Sequence, residues 1–290
     1  MPAGVDRLKE AIRDVVGVER WFDLSNETLQ LLLDEGFKPR SLAGAQLLTR
    51  AMCNHRTLDE PAAALERLVQ LGAADIELES DGLSNVYGPD SHLENALFCQ
   101  RGSLVAPMLA RGALMTNGVP DQAKLDRAFW IAIVSRLLPQ ARLIWDAVPG
   151  LRPQLRYPDT SKKVAPLLSV VYLLGEWNVS NENNGAAMAQ WLASLGADIR
   201  SKNAAGETLL HMAADKGDAE LVRWLLEQGL SPNAADEDGR PAVVSAEEET
   251  TVMLLLDAGS VDEKFKPELK RRAEKNAWRR VLAWLDASKP

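Results

Sequence analysis

The sequence of 290 residues contains only two cysteines and three histidines. Cys53 and Cys99 are too few and too isolated for a disulfide framework or a zinc site. The sequence also has no Gly-x-Gly-x-x-Gly, P-loop, Gly-x-Ser-x-Gly or His-Glu-x-x-His motif, which leaves nucleotide binding and the common hydrolase chemistries without their usual residues. We therefore expect no metal, no cofactor and no enzymatic activity.

Long apolar runs are also missing. The longest, 128–134, is far shorter than the ~20 residues that a membrane-spanning helix needs, and residues 1–21 lack the apolar segment of a signal peptide. The net charge of −8 opposes binding to nucleic-acid phosphates and favours basic partners through long-range attraction. These features predict a cytoplasmic protein that binds neither nucleic acid nor membranes.

One pattern recurs with a fixed period. The segment GETLLHMAA (206–214) is followed by the apolar run LVRWLL (221–226) and then by Gly229. The glycine that corresponds to Gly206 is Gly239, 33 residues later. A period of this length is typical of stacked helical repeats.

The segment resembles the ankyrin repeat, whose signature includes Thr-Pro-Leu-His-x-Ala and whose period is ~33 residues. Thr208, Leu210, His211 and Ala213 match that signature, and Leu209 stands where the family has proline. The resemblance implies that the imidazole of His211 hydrogen-bonds within and between repeats.

A glycine that ends the second helix of each pair extends the pattern along the chain. Apolar residues three, four and seven positions before it share one helical face, and glycine can adopt the left-handed conformation that closes a helix end. Gly150 fits only in part, because Asp146 and Pro149 break the pattern. The glycines are Gly36, Gly72, Gly112, Gly150, Gly196, Gly229 and Gly259, at successive offsets of 36, 40, 38, 46, 33 and 30.

We therefore predict an all-α solenoid of about 7 repeats, made of stacked helix pairs with short hairpin-like loops. Residues 1–290 form one solenoid in this prediction. It comprises an N-terminal cap (1–24, with an amphipathic helix over 4–15), degenerate repeats (25–159), clear ankyrin repeats (160–261) and a C-terminal helical cap (262–290).

Two features of the cap and of the helix starts refine this prediction. Ser91 with Glu94 has the form of a capping box, and Asp218 suits a helix start. In the C-terminal cap, helical patterns cover 267–275 and 276–287, and Ala277 is expected on the apolar face of the second.

Ankyrin-repeat proteins generally bind through finger tips and the exposed side of the first helices, so the resemblance implies a protein-binding surface. An insertion before Gly185 offers exposed amides and an aromatic side chain, a common recognition composition. The expected partner-binding residues are Trp177, Asn181, Asn183, Arg200, Lys202, Asn203, Glu207, Asp215, Lys216, Asp236, Glu237, Asp238 and Arg240.

Three classes of function stay open at this point. The first is a module that binds a partner protein, with a bias toward basic partners, and that is monomeric when free. The second is a cytoplasmic inhibitor or immunity protein that neutralises a toxin or effector enzyme by occlusion. The third is an enzyme with a degenerate site. Fold analogy alone does not decide between them.

Overall fold

A computed structural model describes residues 25–52, 62–75, 91–155, 185–259 and 263–287. The helix expected over 4–15 lies outside these ranges. The chain divides into two compact units, an N-terminal unit (residues 1–153) and a C-terminal unit (residues 154–290). Each unit is described by itself, and the expectation of one continuous solenoid stays a prediction.

The described part of the N-terminal unit is built from short helices joined by tight turns. A two-stranded antiparallel hairpin precedes α6, and Asn117 and Gly118 at its tip both have positive φ, 53° and 76°. Such a pair is typical of a tight hairpin turn. The elements are α1 Asn26–Asp34, α2 Leu42–Met52, α3 Ala62–Gln70, α4 His92–Phe98, α5 Val105–Ala110, β1 Met115–Thr116, β2 Val119–Pro120, α6 Gln122–Val134 and α7 Leu138–Trp145.

These helices stack in pairs. α2, α4 and α6 are the first helices of their pairs, and each contacts the next along the chain. α1, α3, α5 and α7 are the second helices, and they contact one another in the same order. Each pair therefore covers the apolar face of its neighbour, as a repeat solenoid requires.

The C-terminal unit continues this arrangement within itself. The first helices α9 and α11 contact each other, and the second helices α8, α10, α12 and α14 contact in sequence. The elements are α8 Gly185–Ser194, α9 Leu209–Asp215, α10 Ala219–Glu227, α11 Ala242–Ser245, α12 Glu249–Asp257, α13 Lys266–Lys275 and α14 Arg279–Ala287.

The core follows the glycine-anchored pattern. The apolar residue four positions before each helix-ending glycine is no more than 4% exposed in the six regular pairs, so these side chains hold second helices together. They are Leu32, Leu68, Met108, Leu192, Leu225 and Leu255.

All seven marker glycines have positive φ, between 76° and 98°. Six of them lie two residues beyond the end of a second helix. Gly150 lies five residues beyond Trp145, the end of α7. The irregular member of the sequence pattern is therefore also irregular in the structure.

The offset of 30 between Gly229 and Gly259 has a local cause. Helix α11 has four residues where α9 has seven, so this repeat is shorter by the missing helical turn. Arg272 from α13 donates hydrogen bonds to the carbonyls of Val244 and Ala246 at the end of α11. A guanidinium from the next pair thus supplies donors for carbonyls that the shortened helix leaves free.

The predicted helix starts at Ser91 and Asp218 are confirmed. The Ser91 hydroxyl accepts from the Glu94 N–H (3.2 Å), and the Asp218 carboxylate accepts from the Leu221 N–H (3.0 Å). Helices α13 and α14 match the patterns expected over 267–275 and 276–287, and their role as a cap stays a prediction. The placement of Ala277 is wrong, because this residue is exposed in the turn before α14 with φ 57°.

The predicted fold class, an all-α arrangement of stacked helix pairs, is confirmed. The number of repeats stays a prediction. Among the described helices, none is both long enough and apolar enough to cross a lipid bilayer.

Candidate functional site

Two loops in the C-terminal unit have the form of ankyrin fingers. The first finger comprises residues 200–207, and the second comprises residues 235–240. Each is closed by an isolated antiparallel bridge, Lys202 with Thr208 and Ala235 with Pro241. Each also contains a glycine with φ 73°. The two loops therefore share one backbone form.

Side chains fix the shape of each finger from within. The Asn203 Oδ1 atom accepts hydrogen bonds from the N–H groups of Ala205 (3.0 Å) and Glu207 (2.9 Å). In the second finger, Asp236 Oδ1 accepts from the Arg240 N–H (2.8 Å). Short polar side chains commonly close turns in this way. Asn203 and Asp236 therefore shape the loops.

Two further hydrogen bonds join the fingers. The Glu237 N–H donates to the Ala205 carbonyl (3.0 Å), and the Lys202 ammonium donates to the Ala235 carbonyl (2.7 Å). Because both bonds end on backbone atoms, they fix one loop against the other. The pair of fingers is a preorganised surface, which lowers the ordering cost of binding.

His211 connects the base of the first finger to that of the second. Its side chain is only 1% exposed. The Thr208 N–H donates to Nδ1 (3.2 Å), and Nε2 lies 3.0 Å from the Arg240 carbonyl. Because a backbone N–H can only donate, Nδ1 is the acceptor and Nε2 carries the proton. The predicted structural role of His211 within and between repeats is confirmed.

Arg200 also connects neighbouring repeats. Its guanidinium donates to the Gln228 carbonyl (3.0 Å) at the end of α10. Asn233 makes the equivalent bond to the Gly259 carbonyl (3.0 Å) after α12. Both residues stand four positions after a helix-ending glycine, so each caps the second helix of the next repeat.

The remaining expected residues of the fingers point to solvent. Glu237, Asp238 and Arg240 are exposed, and within the described residues their side chains have no hydrogen bond or ion pair. Asp215 and Lys216 are exposed at the other end of α9 and lie within 3.4 Å of each other. The structure therefore separates the expected set into residues that hold the fingers and residues whose side chains are exposed; that these bind a partner stays a prediction.

Three expected residues, Trp177, Asn181 and Asn183, lie outside the described residues and stay predictions. Sequence reasoning missed Asn233. Its signal was available, because it has the same offset from its glycine as Arg200. In the described ranges, no group of three or more His, Cys, Asp or Glu side chains is placed to hold a metal ion.

Comparison with known proteins gives matches in the same region. The family model "Ankyrin repeats (3 copies)" matches residues 177–264. The Regulatory protein NPR1 of Arabidopsis thaliana is 34% identical over 76 residues, which cover 26% of this chain and 12% of that protein. The chain therefore matches about an eighth of the length of this relative.

Among solved structures, the ankyrin repeat domain of Bcl-3, a member of the IkappaB protein family, matches with a TM-score of 0.45 and 16% identity. That match covers 88% of this chain and 98% of the Bcl-3 chain. The family match, the paired helices and the finger geometry agree over the region that has the period of 33 residues. Residues 177–264 therefore carry ankyrin repeats.

Proposed function

We propose that this chain binds a partner protein through the finger side of its clear repeats. Ankyrin repeats are protein–protein interaction modules, which supports the general class. The observation that carries the finer proposal is the pair of joined fingers whose outermost side chains are unpaired. A fixed backbone with free polar ends can bind without reorganising first.

The second finger is the central element of this proposed surface. Glu237 and Asp238 are exposed, while the Glu237 N–H and the Asp236 carboxylate are used to fix the loop. Their carboxylates favour a basic segment of the partner through long-range attraction. Arg240, Asp215 and Lys216 extend the surface. Lys202, Asn203 and Glu207 support it through their bonds within and between the fingers, and Arg200 supports it through its bond to the end of α10.

Affinity capture tests this proposal with the whole chain as bait. The informative variant is Glu237→Gln with Asp238→Asn, because it removes both free carboxylates and keeps Asp236. The matched control is Glu220→Gln with Glu227→Gln, two exposed carboxylates on α10. Both variants change the net charge equally.

We expect the finger variant to recover at least about tenfold less of the partner, as the loss of close charge pairs at an interface predicts. The control should recover the wild-type amount. Equal recovery by wild type and finger variant would remove the finger from the interface. Intrinsic turnover by the chain without any partner would instead support an enzyme.

A further inference from the structure

The C-terminal cap has the opposite charge from the repeats that it covers. Residues 185–259 contain 13 acidic and 5 basic side chains, a balance of −8. Residues 263–287 contain 4 acidic and 8 basic side chains, a balance of +4. A cap needs a polar outer side to stay soluble, but solubility does not require positive charge.

Three cations of the cap flank the turn between α13 and α14. Arg271 and Lys275 stand one helical turn apart on α13, and Arg279 is the first residue of α14. All three side chains are exposed. We call them the cap patch.

The charge of the cap patch is not neutralised within the described part of the chain, where its three side chains have no ion pair or hydrogen bond. Nearby lysines differ in this respect. Lys266 lies 2.7 Å from Glu263, and Lys270 lies 3.9 Å from Glu274. The cap therefore pairs some of its cations and leaves these three available.

Part of this arrangement is locally unfavourable, although Lys275 at the C-terminal end of α13 is favoured by the helix dipole. Like charges at positions i and i+4 of a helix repel, which applies to Arg271 and Lys275. A cation at a helix N-terminus opposes the helix dipole, which applies to Arg279. Two unfavourable placements of charge at one exposed turn are the kind of local conflict that a functional site explains.

We propose that the cap patch docks a short acidic segment of a partner protein. Guanidinium and ammonium groups pair well with carboxylates. The surroundings favour a short segment, because the preceding turn contains the exposed carboxylates of Glu247 and Glu248. A nucleic-acid duplex or a membrane surface would extend over these acidic groups and be repelled at distances up to the Debye length, about 8 Å at physiological salt.

The proposal goes beyond the finger surface and does not depend on it. The fingers are acidic and fit a basic segment, whereas the cap patch fits an acidic one. If the variants of one surface leave binding unchanged, the proposal for the other surface is unaffected. Each surface has its own variants, so the two outcomes can be told apart.

The test measures the fluorescence anisotropy of a labelled short polyglutamate peptide as the whole chain is titrated at low ionic strength. The patch variant is R271E/K275E/R279E. The matched control, K38E/R50E/R223E, reverses three exposed cations elsewhere and changes the net charge by the same amount. A milder variant, R271Q/K275Q/R279Q, removes the patch without adding charge, and circular dichroism melts verify that each variant is folded.

We expect the patch variants to bind the peptide at least about tenfold more weakly than wild type, and the control to change by about twofold or less. An equal loss in the control would show that the peptide reports only net charge and would overturn the proposal. Absence of binding to wild type would also overturn it. Tighter binding of duplex DNA or of anionic vesicles, lost in the patch variants, would overturn the acidic-protein assignment.

Discussion

The N-terminal unit and the C-terminal unit build the same turn between paired helices from different residues. Between the helices of a pair, α9 is followed by Gly217, whereas α4 is followed by Gln100 and α6 by Arg136. All three residues are left-handed, with φ of 67°, 57° and 55°. Only glycine adopts this conformation without a steric cost, so the N-terminal unit keeps the turn at the expense of some stability.

The hydrogen bond that closes this turn is the same in both units. The residue after the left-handed position donates its N–H to an alanine carbonyl, at 2.7 Å, 2.9 Å, 3.0 Å and 2.8 Å in the four described pairs that have this turn. Each alanine is 0% exposed. A small buried residue and a backbone bond thus define the turn more consistently than glycine does. The acceptors are Ala96, Ala132, Ala213 and Ala273.

The contact between neighbouring repeats is also kept with different chemistry. His211 stands six residues before its left-handed position and bonds the Arg240 carbonyl. Glu94 occupies the equivalent position in the N-terminal unit, is 2% exposed, and accepts a hydrogen bond from Arg127 of α6 (3.1 Å). An ion pair in the N-terminal unit therefore stands where the C-terminal unit has a histidine hydrogen bond, and each connects one helix pair to the next.

The largest expected effect tests whether both units have equally packed cores. Leu225→Ala and Leu68→Ala remove side chains that are both 0% exposed at the same repeat position. We expect each to lower the free energy of unfolding by about 3 kcal/mol, through lost burial and the cavity left behind. Urea titration of both variants measures this. A loss below about 1 kcal/mol for Leu68→Ala alone would show a looser core in the N-terminal unit.

The next prediction compares the two connections between repeats. His211→Ala should lower the free energy of unfolding by about 2 kcal/mol, because the buried Thr208 N–H loses its acceptor and the Arg240 carbonyl keeps only the Asp236 N–H as a donor. Glu94→Gln should cost about 1 kcal/mol, since the side chain of Arg127 is 39% exposed and can be hydrated. Thermal unfolding of the two variants shows which loses more stability. A larger loss of stability for Glu94→Gln than for His211→Ala would contradict the prediction.

A matched glycine pair tests how tightly the fingers fit. Gly206 and Gly239 have the same φ of 73°, so alanine is equally strained at both positions. A Cβ at Gly206 would lie 2.9 Å from the Glu237 backbone nitrogen, whereas one at Gly239 meets nothing within 4 Å. We expect Gly239→Ala to cost about 1 kcal/mol and Gly206→Ala about 2 kcal/mol. Equal costs would show that the fingers can move apart freely.

Much of the repeat layout could be predicted from the sequence, because each pair repeats a local signal. Apolar spacing before a glycine depends only on helix geometry, and it located the ends of six second helices. The spacing did not locate the end of α7 from Gly150, where the apolar pattern is interrupted. It also misplaced Ala277, since helical periodicity does not reveal that an alanine has taken the left-handed turn position.

The candidate site could be predicted only in part, for a different reason. Arg200 and Lys202 are charged residues in exposed loops, which normally indicates availability to a partner. Their acceptors are carbonyls 28 and 33 residues further along the chain. Such contacts depend on how repeats stack, and no local pattern in the sequence encodes them.

Exchanging turn residues should change stability in opposite directions. Gln100→Gly should raise the free energy of unfolding by about 0.5–1 kcal/mol, because it relieves a left-handed glutamine. Gly217→Gln should lower it by about 1 kcal/mol, because it creates the same strain. Paired urea titrations measure both changes. A destabilising effect of Gln100→Gly would mean that the glutamine side chain contributes more than its backbone costs.

The smallest expected effect is a change of stability with acid pH. It should differ between the two units, because an arginine bonds a carboxylate in one unit and only a backbone carbonyl in the other. In the N-terminal unit, Arg111 donates to the Gln70 carbonyl (3.1 Å) at the end of α3 and to the Asp75 carboxylate (2.7 Å). The hydrogen bond from Arg111 lowers the pKa of Asp75. In the C-terminal unit, Arg200 donates to the Gln228 carbonyl at the corresponding helix end.

A carboxyl whose folded pKa is lowered stabilises the fold above its unfolded pKa and loses that contribution as the pH falls through the folded value. Arg111→Gln should therefore cost about 0.5 kcal/mol at neutral pH and much less once Asp75 is protonated. Arg200→Gln should cost the same at both pH values, since a carbonyl acceptor does not titrate. Urea titrations of both variants at neutral and acidic pH measure the difference. A pH-independent loss for Arg111→Gln would show that the carbonyl of Gln70, and not Asp75, is the acceptor that matters.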